Sequence, residues 1–133
     1  LHDIVSGGLK SIGERIDISG SAVLVPAKNA QTLSLLVHEL APNAAKFGAL
    51  SVKSGRVTVT WEVLRNGGAD ERFRFNWSET GGPPVNQPAR KGFGTVIVIS
   101  VVGTELKCVL TLYYGEGGLQ YRLECSLKTL TGN

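Results

Sequence analysis

Residues 38–48 read His-Glu-Leu-Ala-Pro-Asn-Ala-Ala-Lys-Phe-Gly, and this pattern predicts the C-terminal half of an amphipathic helix. At about 100° per residue, Glu39, Asn43 and Lys46 fall on one stripe, and apolar side chains fill the opposite side. An acid and an amide at this spacing can reach one hydrated cation, and a lysine one turn further can meet the anion that accompanies it. The stretch therefore predicts a helix with a core face and a chemical face.

The helix is expected to begin near Lys28 or Asn29, with Asn29 as its cap, and to end at Gly48. Pro42 lies inside this span. A proline there lacks the N–H that would bond the carbonyl of His38, so we expect a kink or a loosened turn.

Length and composition are those of a folded protein. The chain has 133 residues, of which 42% are hydrophobic and 19% charged, and we expect one domain over residues 1–133. The net charge is +3, but the basic residues form no run, so no nucleic-acid partner is expected. No stretch resembles a membrane span or a signal peptide, which predicts a cytoplasmic domain without membrane contact. Because methionine is absent, we expect a fragment of a longer protein.

An antiparallel hairpin is predicted from two runs of alternating apolar residues. Residues 56–64 and 71–77 flank a turn at 66–68, and pairing about this turn sets Val63 against Phe73 on the apolar face. The same register gives the pairs Trp61 with Phe75 and Val59 with Trp77.

A second hairpin is predicted from residues 106–114 and 119–127. Its register opposes Cys108 to Cys125, which we expect to be reduced packing residues although a bridge is geometrically conceivable. The other apolar pairs of this register are Tyr114 with Leu119, Leu112 with Tyr121, Leu110 with Leu123, and Leu106 with Leu127.

The remaining segments complete the predicted fold. Short strands are expected at 15–19 and 22–25, and residues 78–94, with four glycines and three prolines, are predicted to form a loop. Residues 95–102 fit either a strand or a short buried helix. The sum is an α+β protein, a two-layer α/β sandwich whose mixed, mostly antiparallel sheet is covered on one face by helices.

Common nucleotide-binding fingerprints are absent, but two glycine-containing loops remain as candidates. No GxxxxGK[ST] motif is present, and no GxGxxG motif follows a strand. Glu79 precedes Gly81 and Gly82, and a second pair is formed by Gly92 and Gly94. Glycines let backbone N–H groups approach phosphates closely, so both loops are candidate phosphate or nucleotide contacts.

Taken in this order, the motifs resemble those of the GHKL ATPase superfamily. Residues 38–48 resemble its N box, residues 79–82 its first glycine box, and residues 92–94 its second. The pattern is most similar to HWE-type bacterial sensor histidine kinases, which are named for an N-box histidine and a Trp-x-Glu motif. Here these are His38 and Trp77-Ser78-Glu79. The resemblance implies a Bergerat-type, GHKL-like fold.

The resemblance also implies a site for ATP and Mg²⁺. Asn43 would coordinate the metal, Glu39 would orient the attacking group or polarise a water, and Lys46 would contact phosphate oxygens. Glu79 would accept a hydrogen bond from the adenine amino group. Gly81 and Gly82 would shape the base pocket, and Gly92 and Gly94 would cradle phosphate. A short lid would include Arg90 and Lys91.

The implied function is transfer of the γ-phosphoryl group of ATP to a histidine on a separate dimerisation domain, with a response regulator as indirect partner. His2 lacks the neighbours of a phosphoacceptor histidine, so the fragment itself is not expected to autophosphorylate. Pro42 stands where similar sequences carry threonine, which puts nucleotide affinity in question. Two alternatives remain open: a hydrolytic ATPase of the same superfamily, and a degenerate domain that acts only in docking.

Overall fold

The structure is a computed structural model, and it describes residues 1, 5–6, 15–65, 71–83, 100–115 and 118–132. Several predictions fall outside these residues. They concern the turn at 66–68, the loop residues 84–94, which include Arg90, Lys91, Gly92 and Gly94, and residues 95–99.

Five strands form one mixed sheet. The strands are β1 (Ile16–Gly20), β2 (Arg56–Leu64), β3 (Arg72–Thr80), β4 (Val109–Gly115) and β5 (Gly118–Ser126). Their order is β1-β2-β3-β5-β4, with β1 parallel to β2 and every other neighbouring pair antiparallel. The mixed, mostly antiparallel sheet is therefore as predicted.

The β2–β3 hairpin has the predicted register. Val63 pairs with Phe73, and the other two predicted pairs are present as well. The strand β3 is longer than predicted, since it continues to Thr80 and pairs Glu79 with Val57. The prediction that residues 78–80 belong to a loop is therefore wrong, because pairing with β2 continues up to the glycines that follow.

The β4–β5 hairpin confirms three of the five predicted pairs. Tyr114 with Leu119, Leu112 with Tyr121, and Leu110 with Leu123 are paired as expected. The two outer pairs do not belong to the ladder. Lys107 has a left-handed φ of 51°, and β4 begins only after Cys108, at Val109. On the partner strand, Leu127 already begins a helix. Cys108 and Cys125 therefore lie just beyond the last ladder pair, and both are free thiols.

The helix α1 spans Ala27–Phe47 and begins earlier than predicted. Pro26 is its N-cap, and no side chain caps the first turn. Asn29 instead donates from its amide to the carbonyls of Thr129 and Leu130, at 3.1 and 2.8 Å. These carbonyls belong to the short helix α2 (Leu127–Thr131), so Asn29 ties the two helices together. The prediction of Asn29 as the cap of α1 is wrong.

Pro42 does not end α1, which remains helical through Phe47. Both Pro42 and His38 are exposed, so solvent can reach the His38 carbonyl that proline leaves without an N–H partner. A bend at this position stays a prediction.

Two further segments differ from the expectations. Residues 21–26 contain no strand, because Pro26 precedes the helix and the Ser21 carbonyl accepts from the indole of Trp61 at 2.7 Å. Residues 100–105 are helical, which favours the helical interpretation of the end of the segment 95–102.

The core lies between α1 and one face of the sheet. Strand β3 alternates buried and partly exposed residues, so Phe73, Phe75 and Trp77 point inward. The helix contributes its apolar stripe, including Leu36 and Ala44, both fully buried. This is the predicted two-layer arrangement with a single helix-covered sheet face. Within the described residues, no helix is both long and apolar enough to cross a membrane.

Candidate functional site

The polar stripe of α1 brings an acid and an amide into contact. Asn43 Nδ2 donates to Glu39 Oε1 at 3.1 Å, as residues one turn apart on a helix can do. Both side chains are partly buried. Lys46 is exposed in the last helical turn, where a cation also interacts favourably with the helix dipole. His38 is exposed as well, next to the stripe rather than on it.

The turn after α1 supplies a buried backbone donor to the acid of the first glycine box. Gly48 leaves the helical conformation, with φ −112° and ψ −150°, and a 3₁₀ turn follows over Ala49–Ser51. The N–H of Ala49 donates to Glu79 Oε1 at 3.1 Å. The acid of the first glycine box is thus bonded directly to the chain that follows the N-box helix.

Glu79 is almost completely buried, at 1% exposure, and both carboxylate oxygens are hydrogen-bonded. The second oxygen, Oε2, accepts from Trp77 Nε1 at 2.9 Å. A buried carboxylate is costly unless donors replace the lost water, and here each oxygen accepts a hydrogen bond. Trp77 is fully buried, which confirms that it lies on the core face.

The two glycines after Glu79 pack against the same turn. Gly81 has a left-handed φ of 71°, and a Cβ there would lie 2.4 Å from the Ser54 carbonyl oxygen. A Cβ on Gly82 would lie 2.5 Å from the Cα of Ala49. Neither position can accept a side chain without a backbone shift, so both glycines are needed for this close approach.

Three residues at this junction were not identified from the sequence as site residues. Ala49 supplies a backbone N–H, which any residue type except proline would offer. Gly55 approaches so closely that a Cβ would lie 1.6 Å from the Ala49 carbonyl oxygen. Gly118 has φ +137°, and its Cβ would lie 2.7 Å from the Cβ of Glu79. Both glycines read as turns in sequence, and only the fold shows what they approach.

The segment after α1 is also held from the other side, by Arg15. Its guanidinium donates to the carbonyls of Leu50, Val52 and Gly55. The two terminal nitrogens of the guanidinium donate to carbonyls at separate positions, whereas an ammonium carries its three donors on one nitrogen. Arg15 therefore holds the turn against which the glycines pack.

The structure thus groups the predicted residues into two sets. Glu39 and Asn43 are in contact on α1, whereas Glu79, Gly81 and Gly82 meet the turn that follows it. Carboxylate and amide oxygens are the ligand types that a hard cation such as Mg²⁺ prefers.

Sequence relatives are histidine kinases. The chain is 39% identical over 109 residues to the blue-light-activated histidine kinases of Brucella ovis and Brucella anthropi. These matches cover 82% of this chain and 22% of the relatives, so the chain spans about a fifth of their length. No protein-family model matches the chain.

Solved structures with a similar fold are also histidine kinases. A blue-light activated histidine kinase from Erythrobacter litoralis EL346 matches with a TM-score of 0.67 and 18% identity, over 98% of this chain and 41% of that one. The catalytic domain of histidine kinase ThkA matches with a TM-score of 0.58 and 15% identity, over 93% of this chain and 91% of that one. At these identities the structures show the fold. The sequence relatives support the similarity of the chain to HWE-type histidine kinases, and the solved structures show that it has the GHKL-like fold of a histidine kinase catalytic domain.

Proposed function

We propose that this chain is the domain that binds Mg-ATP in a sensor histidine kinase and transfers the γ-phosphoryl group to a histidine on a separate dimerisation domain. The observation that carries the proposal is the link from Glu79 to the N–H of Ala49. This hydrogen bond joins Glu79, the proposed contact for the adenine base, to the end of α1. The same helix bears the proposed contacts for the metal and the phosphates.

The metal and phosphate end of the site is the Glu39–Asn43 pair. Because Asn43 Nδ2 donates to Glu39, the amide oxygen of Asn43 points away from that carboxylate. This orientation suits a cation ligand, and Mg²⁺ bound there would neutralise charge on the phosphates. Glu39 would orient the attacking histidine, and Lys46 would contact phosphate oxygens. The unbroken helix at Pro42 supports this site, since it keeps Glu39 and Asn43 one turn apart.

The base end of the site is Glu79, with Gly81 and Gly82 beside it. Glu79 is only 1% exposed, so an adenine that hydrogen-bonds to its carboxylate has to displace atoms that now cover this side chain. Gly92 and Gly94 as the phosphate cradle, and Arg90 and Lys91 in the lid, remain part of the proposal and lie outside the described residues.

The wider setting is proposed from the relatives. Their length, about five times the matched region, accommodates a dimerisation domain that would carry the phosphoacceptor histidine. A response regulator would receive the phosphoryl group next, in the bacterial cytoplasm.

The test is isothermal titration calorimetry of the full-length protein with ADP and a non-hydrolysable ATP analogue, with and without Mg²⁺. Asn43→Ala should abolish the Mg-dependent part of binding, whereas Glu79→Ala should weaken both nucleotides alike. Asn76→Ala is the matched control, because Asn76 accepts from Arg122 on the open sheet face. Absence of Mg-dependent binding at millimolar nucleotide, or equal binding by all four proteins, would refute the proposal.

A further inference from the structure

The two outer residues of the motif Trp77-Ser78-Glu79 bond to each other. Residues two apart on a strand point to the same face, so Trp77 and Glu79 both point into the core. The indole N–H then reaches Glu79 Oε2 at 2.9 Å. The spacing of two residues therefore places the indole N–H donor beside the buried carboxylate on the same face of the strand.

The other carboxylate oxygen is held by a different part of the fold. Ala49 N–H, from the turn after α1, donates to Glu79 Oε1 at 3.1 Å. Two donors from two elements thus determine how the carboxylate plane is rotated. A side chain with three rotatable bonds is otherwise free to turn, so these donors select one orientation in advance of binding.

We propose that Trp77 is a positioning residue for base selectivity: its indole N–H holds Glu79 as an acceptor for the 6-amino group of an adenine nucleotide. This rests on the proposed function, and it adds a residue that sets which purine is accepted.

A purine with a 6-oxo group is the informative competitor. Hypoxanthine presents a carbonyl acceptor at position 6, where adenine presents an amino donor, and it carries a proton on N1, where adenine has an acceptor. An ionised carboxylate is an acceptor only, so a carboxylate held in place meets the 6-oxo group with no hydrogen bond between them. Sites that hydrogen-bond a substrate N–H reject the analogue that lacks it, because the buried partner is left unpaired. Loosening the carboxylate should therefore cost ADP more than inosine diphosphate.

The second tryptophan provides a control within the same sheet. Trp61 is also buried on the core face, at 3% exposure, and its Nε1 donates to the Ser21 carbonyl at 2.7 Å. Trp61→Phe and Trp77→Phe remove the same indole and lose one hydrogen bond each. Only the second loses a donor to Glu79.

The experiment measures the dissociation constants of ADP and inosine diphosphate by calorimetry, without Mg²⁺, for the full-length protein. Omitting the metal isolates the base from the contacts assigned to Asn43. We expect Trp77→Phe to weaken ADP about tenfold and inosine diphosphate little, as expected for loss of one hydrogen bond to a charged group. The ratio of the two constants should be unchanged in Trp61→Phe.

Two further proteins separate positioning from packing. In the Glu79→Ala background, Trp77→Phe should cause no additional loss of ADP affinity, since a positioning residue acts only through its partner. If Trp77→Phe does not fold, 3-benzothienylalanine at position 77 keeps the shape of the indole and removes only the N–H donor.

The outcomes distinguish the two proposals. No ADP binding by the wild-type protein overturns the proposed function and this inference with it. ADP binding with the same base ratio in the Trp77 variants and the wild type overturns the inference alone. Equal losses from Trp77→Phe with and without Glu79 also overturn it, since they assign Trp77 a packing role only.

Discussion

A single methyl group at Gly118 should disturb the Glu79 side chain directly. It begins β5, has φ +137°, and a Cβ there would lie 2.7 Å from the Cβ of Glu79. The Glu79 side chain cannot turn aside freely, because Ala49 N–H and Trp77 Nε1 each hold one of its oxygens. Gly118→Ala should therefore strain the backbone at 118 and displace Glu79.

The expected cost has two parts. A non-glycine residue at positive φ costs about 1–2 kcal/mol. Overpacking of a well-filled interior costs about 1–3 kcal/mol more. The sum is about 2–5 kcal/mol of unfolding free energy. For a domain of 133 residues, this corresponds to a fall in Tm of roughly 7–18 °C.

Urea and thermal denaturation measure this loss, and Gly115→Ala is the control from the same hairpin. Gly115 pairs with Gly118, and a Cβ there would lie 2.9 Å from the ring of Tyr113, which is 63% exposed and can move, and at an ordinary contact distance of 3.6 Å from the Gly118 carbonyl oxygen. The control should cost less than about 0.5 kcal/mol. ADP affinity should fall in Gly118→Ala and not in Gly115→Ala. Equal stability of the two variants would refute the close approach of Gly118 to Glu79.

Arg15→Lys should lower the unfolding free energy by about 1–2 kcal/mol, because an ammonium carries its three donors on one nitrogen and cannot reach the separate carbonyls that the two terminal guanidinium nitrogens bond. Arg56→Lys, in an exposed pair with Asp17, is the control, and equal urea midpoints would contradict the role of Arg15. Tyr121→Phe should raise the free energy of unfolding by about 1 kcal/mol, because the buried hydroxyl has no hydrogen-bond partner among the described residues. Burial raises the pKa of Tyr121, so the folded state keeps a proton that the unfolded chain releases above pH of about 10. The unfolding free energy of the wild type should then fall above that pH, and the extra stability of Tyr121→Phe should grow. A lower stability of Tyr121→Phe would instead show that the hydroxyl has a hydrogen-bond partner.

The sheet was predictable wherever its two faces differ in chemistry. Alternation in β2 and β3 leaves one register that puts Val59, Trp61 and Val63 opposite aromatic residues, and a slip by one residue would expose them all. The three pairs of the β4–β5 hairpin nearest its turn were predicted correctly for the same reason. The polar stripe of α1 was visible because helical periodicity is also a local property.

The errors lie where distant contacts override a local signal. Asn29 has the chemistry of an N-cap, but its amide bonds carbonyls about a hundred residues away. Glu79 was expected in a loop because glycines and prolines follow it, yet pairing with β2 and β5 extends β3 past Trp77. Cys108 lies outside its ladder beside Lys107, which takes a left-handed conformation that nothing in its residue type requires.

The candidate site was predictable as a set of residues but not as an arrangement. Its motifs name Asn43 and Glu79, whereas the bond between the two stretches is made by the backbone of Ala49. A backbone N–H leaves no mark in a sequence, since nearly every residue type supplies one. The same holds for Gly55 and Gly118, whose necessity depends on what each approaches rather than on a motif.

Besides its proposed contact with a base, Glu79 links two layers of the fold. Its two oxygens bond β3 and the turn after α1, so the carboxylate spans from the sheet to the helix layer. A displacement of Glu79 would therefore act on the turn at Ala49, which directly continues the helix carrying Asn43 and Lys46. In the proposed site, base recognition and phosphate geometry would be coupled through this buried side chain, so substitutions that loosen Glu79 should weaken ADP and the ATP analogue alike, with and without Mg²⁺.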